Sequence, residues 1–119
     1  MKYMLLVYLN ENALTEEEYK KCYVDSAKLT RDLNTEGKYL AASPLQRIAT
    51  ATSVRIRNGK RMITDGPFAE THEQLGGFYL IDAKDLDDAI RIAARVPVAN
   101  VGTIEIRPLL DIPGLPEKS

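Results

Sequence analysis

Residues 2–9, Lys-Tyr-Met-Leu-Leu-Val-Tyr-Leu, decide the fold. Side chains alternate between the two faces of a strand. Here Leu5, Val7 and Leu9 fall on one face and Met4, Leu6 and Tyr8 on the other, so both faces are apolar. A strand with one wetted face alternates apolar with polar. This one wants cover on both sides. The chain's own helices can supply one cover, and a second subunit is the simplest source of the other.

Working outward, Thr15-Glu16-Glu17-Glu18 opens a helix. Thr15 can accept from the Glu18 amide while Glu18 reaches back, a capping box, and three glutamates suit the positive helix N-terminus. Tyr19, Cys22, Ser26, Leu29 and Leu33 then form one apolar stripe, and Gly37 is a natural stop. Residues 38–42 read as a second strand ending at Pro44. Residues 52–57 and 60–64 flank Asn58-Gly59, which predicts a type I′ hairpin. Asp65-Gly66-Pro67-Phe68 has turn chemistry, and residues 69–75 are expected to make one short helical turn before the strand 78–81. Asp85 caps a second helix whose buried stripe is expected to be Leu86, Ala89, Ile90 and Ala93. A last strand, 103–109, turns Ile104 and Ile106 away from Glu105 and Arg107.

The fold class that follows is α+β: a ferredoxin-like βαββαβ order with an inserted β-hairpin, an antiparallel sheet and helices on one face. One domain is expected over residues 1–110, with 111–119 a C-terminal tail. A chain of 119 residues that is 45% hydrophobic and 28% charged can build one core without staples. The formal net charge of −1, with both signs interspersed, offers no basic field for nucleic acid or an anionic membrane. No apolar run is long enough to span a bilayer, the N-terminal run lacks the length and cleavage site of a signal peptide, and the single Cys22 has no internal partner. A cytoplasmic location is the expectation.

The run 65–81, DGPFAETHEQLGGFYLI, resembles the DGPF proteins, a bacterial branch of the YCII-related family. The N-terminal MKYMLLVY, the Glu36-Gly37 helix end and GTIEIRP at 102–108 agree with it, so the resemblance covers roughly residues 1–110. It implies a dimeric α/β barrel, in which two ferredoxin-like sheets face each other across a two-fold axis. It implies no particular activity. Many DGPF proteins are encoded beside extracytoplasmic-function sigma factors, which implies an accessory role in such a pathway. Many YCII-related proteins carry a His on the first helix and an Asp near the end of the second, a pair able to move protons. Aligned on Glu36-Gly37 and on the Pro after the second helix, those positions hold Ser26 and Val96, so the dyad is not carried over.

The remaining candidates come from residue chemistry. Ser26 sits where a core residue is expected; it either bonds a helix carbonyl or lines a cavity between helix and sheet. Asp65 either organises its own turn or serves as a base or ligand group at a pocket mouth. His72, the sole histidine, could pair with Asp65, although DGPF relatives commonly place Lys there, as a solvated surface would allow. Glu70 and Glu73 flank it. Tyr8, Tyr79 and Arg107 lie on strands near a barrel interior, where hydroxyls and a guanidinium could orient a small ligand. Cys22 reads as an inert core thiol. No ligand spacing selects a metal, and no phosphate loop or nucleotide fingerprint implies a cofactor.

Three functions are compatible with this pattern. The first is a small-molecule-binding homodimer using Ser26, Asp65, Arg107 and Tyr8. The second is an enzyme using general acid–base chemistry in the dimer cleft, with Asp65 and His72 as candidates. The third is a sigma-factor accessory protein.

Overall fold

The computed structural model describes residues 1–116. In chain order the elements are β1 (Lys2–Leu9), α1 (Glu16–Thr35), β2 (Tyr39–Pro44), β3 (Thr52–Arg57), β4 (Lys60–Asp65), β5 (Gln74–Asp82), α2 (Leu86–Ala93) and β6 (Thr103–Pro108). Short 3-10 turns sit at Ile48–Thr50 and Pro97–Asn100. β2, β5, β1 and β6 lie side by side in that order, each antiparallel to its neighbour. This is the ferredoxin-like order. The β3–β4 ribbon is a separate two-stranded sheet inserted between β2 and β5. Residues 109–116 form neither helix nor strand, and 117–119 of the expected tail lie outside the described residues.

The two-sided reading of β1 holds in three dimensions. Tyr3, Leu5, Val7 and Leu9 are buried against the helices, together with Tyr79 and Ile81 of β5, Leu29 and Leu33 of α1, and Ala89, Ile92 and Val96. Leu5, Leu33, Ile81, Ile92 and Val96 are fully buried, each contributing about 1.5–3 kcal/mol relative to exposure. On the other face Met4 and Leu6 pair with Leu80 and Phe78 across β5, and with Arg107 and Glu105 across β6. Directly paired residues share a face. The outer face is thus an apolar centre, Met4, Leu6, Tyr8, Phe78 and Leu80, each only partly buried, with a charged edge.

Local signals act as expected at both ends of α1. Thr15 Oγ1 accepts from the Glu18 amide at 3.1 Å, and Glu18 Oε1 accepts from the Thr15 amide at 2.9 Å. After the helix Gly37 takes φ +76°. At the ribbon tip Asn58 and Gly59 have φ of +52° and +74°, as a type I′ turn requires.

Two local expectations are corrected. Residues 69–73 form no helical turn; β5 begins at Gln74 and carries Gly76-Gly77 inside the sheet. A Cβ on Gly77 would lie 3.0 Å from the Ser43 carbonyl oxygen, so close strand approach is what excludes a side chain there. In α2 the buried residues are Asp88, Ala89, Ile92 and Ala93, while Leu86 and Ile90 are exposed. The helix is rotated because Asp88 is needed inside. Its carboxylate accepts from the Lys84 amide and from Lys38 Nζ, each at 2.9 Å, tying α2 to the start of β2.

Candidate functional site

Between α1 and the inner face of the sheet lies a cavity of about 370 Å³. The sequence explains why it is not filled. Midway along the α1 stripe stand small side chains, Cys22, Ser26 and Ala27, and opposite them the sheet presents Ala42, Gly76 and Gly77. Large residues close the stripe on either side: Tyr19 before, Leu29 and Leu33 after, all buried. Helix and sheet are therefore held apart at a spacing that the small residues do not span.

The walls are mostly apolar, with Val7, Leu9, Leu14, Val96 and Val98 among them. Hydroxyls are supplied by Ser26, Tyr79 and Tyr39. Burial pushes the Tyr79 phenol above its ordinary range, and the neighbouring Ser26 side chain partly offsets this. Both hydroxyls are neutral groups that can donate to a carbonyl or hydroxyl oxygen. Burial also pushes the Cys22 thiol up, which disfavours the nucleophilic thiolate.

Among the described residues that line the cavity, only Glu11 and Arg47 are charged. Glu11 Oε2 accepts from the Ile48 amide at 2.9 Å, and its carbonyl accepts from the Tyr19 hydroxyl at 2.6 Å. Arg47 stacks over the Tyr19 ring at 4.3 Å and bonds Glu16 Oε1 at 2.7 Å. These contacts tie the loop after β2 to the start of α1. The resulting arrangement can bind an uncharged or partly polar compound. No histidine lines the cavity, and the carboxylate of Glu11 already accepts from the Ile48 amide.

Ser26 and Val96, the positions aligned with the His–Asp dyad, both line this cavity. Tyr79 lies there too, on the face opposite Tyr8, because it pairs with Leu5. The other candidates lie elsewhere. Tyr8 and Arg107 are on the outer face of the sheet, where Arg107 reaches Glu105 at 3.5 Å. Asp65 is exposed at the end of β4, and His72 is exposed in the connection to β5; neither lines the cavity. Glu73 accepts from the Thr103 hydroxyl at 2.8 Å, a strand-entry role. The structure thus separates the candidates into a cavity group, an outer-face group and a ribbon-root group. Tyr39, Ala42 and Arg47 were not singled out by sequence. The available signal for them was the run of small residues facing a helix stripe that itself turns small.

Fold and cavity together define a small ferredoxin-like α+β domain with a pocket between its first helix and its sheet. The chain belongs to the YCII-related family, whose domain matches residues 1–113. It is 38% identical over 114 residues to an uncharacterised protein of Rhizobium meliloti (strain 1021), covering 92% of each chain. Among solved structures it is similar to 5-chloro-2-hydroxyhydroquinone dehydrochlorinase (TftG) from Burkholderia phenoliruptrix AC1100 in complex with 2,5-dihydroxybenzoquinone. That likeness has a TM-score of 0.55 at 12% identity, covers 92% of this chain and 94% of the other, and bears on the fold alone. No helix among the described residues is long and apolar enough to cross a membrane.

Proposed function

We propose that this protein is a homodimer that binds a small organic molecule in the α1–sheet cavity. The observation that carries the reading is the cavity itself, an apolar volume of about 370 Å³ lined by Ser26 from α1 and Tyr79 from β5. Binding pockets have this composition: apolar walls with a few placed polar groups. Ser26 is the ligand group carried forward from the sequence. Tyr8 and Arg107 belong to the outer face, and in the homodimer they lie at or beside the subunit contact. Asp65, exposed at the end of β4, lies outside the cavity. The cytoplasm remains the proposed location.

The dimer reading rests on the outer sheet face, whose five large apolar side chains are only half-buried among the described residues. The structural neighbour TftG is by its name a dehydrochlorinase. General acid–base catalysis here would need a base, and the cavity's dyad positions are Ser26 and Val96. Binding is therefore the stronger reading. A sigma-factor role rests on the resemblance alone.

Thermal-shift measurements against a panel of small aromatic and carbonyl metabolites test the reading, with Ser26→Leu as the control that fills the cavity. A ligand at a hundred times its Kd adds about 2.7 kcal/mol, so the wild type is expected to gain several degrees and Ser26→Leu none. Absence of stabilisation across the panel, or equal stabilisation of the filled variant, would count against it.

A further inference from the structure

The β3–β4 ribbon has no part in the cavity, and a single copy of the chain does not account for it. Its register places Val54 opposite Ile63 and Ile56 opposite Arg61, while Arg55 opposes Met62 and Arg57 opposes Lys60 on the other face. One side carries Val54, Ile56, Ile63 and Arg61 and the other Arg55, Arg57, Lys60 and Met62, so three of these four apolar side chains share a face and three of the four cations share the opposite one. Val54, Ile56 and Ile63 are 60%, 66% and 59% exposed. A two-stranded ribbon alone is marginal in water, and among the described residues this one pairs with no other strand.

Its root is held firmly. The Gly66 amide donates to the Ala51 carbonyl at 2.7 Å, and the Ser53 hydroxyl donates to the Gly66 carbonyl at 2.8 Å. The motif Asp65-Gly66-Pro67-Phe68 thus fixes the exit of the ribbon and leaves Phe68 79% exposed. The radius of gyration is 16.1 Å, against about 13.5 Å for a compact domain of this length. The ribbon also concentrates charge. Arg55, Arg57, Lys60 and Arg61 against Asp65 give it +3, which leaves −4 on the rest of a chain whose net charge is −1.

We propose that the ribbon is an arm exchanged within the homodimer: each copy lays its Val54–Ile56–Ile63 face and Phe68 on the body of the other. This rests on the dimer reading above and adds a second contact to it. The second copy is the occupant that the charges favour, because a +3 arm meets a −4 body in every pairing. It also supplies apolar surface to a face that a free polyanion would leave wet.

Hydrogen exchange of residues 53–64, run beside sedimentation equilibrium, tests it. The wild type is expected to be a dimer at micromolar concentration. Its ribbon amides are expected to exchange at least tenfold more slowly than in Leu6→Glu, a variant altered on the outer sheet face. Val54→Ser/Ile56→Ser/Ile63→Ser, whose changes lie outside the core, is expected to lose that protection while keeping the cavity. A wild-type dimer with a fast-exchanging ribbon would overturn the arm and leave the dimer standing. A wild-type monomer would overturn both. Protection that appears only when duplex DNA is added would also overturn it, in favour of the cationic face as a polyanion contact.

Discussion

Asp88 is a buried carboxylate on a helix face that pattern alone assigns to apolar residues. The Lys84 amide and the Lys38 ammonium hold its pKa below the usual 3.8. A carboxylate whose folded pKa is depressed stabilises the fold above its unfolded pKa, and that contribution disappears as pH falls through the folded value. Asp88→Asn is therefore expected to cost about 2 kcal/mol at pH 7. The gap to wild type should close as pH falls below about 4. Urea denaturation at pH 7 and pH 3 checks this, and an equal gap at both would contradict it. At this scale the site was half legible. Helical spacing placed Ser26 on the inner stripe. By sequence Tyr79 groups with Tyr8 and Arg107, and only the register of β5, which sets Tyr79 opposite Leu5, separates it from them.

Among the elements, the glycines distinguish two kinds of constraint. A Cβ on Gly102 would lie 2.1 Å from the Tyr8 carbonyl oxygen and 3.0 Å from Val98 Cγ1, so β6 can enter the sheet only with no side chain there. At Gly37 a Cβ meets nothing within 4 Å, and only the φ of +76° resists it. Gly102→Ala is expected to destabilise by at least about 2 kcal/mol because backbone must move. Gly37→Ala should cost only about 1 kcal/mol. Thermal denaturation of both variants separates close approach from backbone strain, and equal losses would contradict the distinction. Element order, the capping box and the Asn58-Gly59 turn were legible because each is set by adjacent residues. The rotation of α2 was not, since it depends on Lys38, fifty residues away in sequence from Asp88.

For the whole molecule, one strand with two apolar faces implied both the inner core and a missing cover. The described residues fill the first and leave the outer face half-buried. The cavity was not legible as a volume, because it arises from small residues on α1, β2 and β5 that meet only when folded. Its capacity to bind a small molecule is the central claim. The most direct measurement is amide and methyl NMR of the wild type during titration with a library of small aromatic and carbonyl fragments at millimolar concentration. Shifts are expected to concentrate on Cys22, Ser26, Ala42, Gly77 and Tyr79. Fragments that shift nothing, or that shift only the outer sheet face and the ribbon, would contradict that claim.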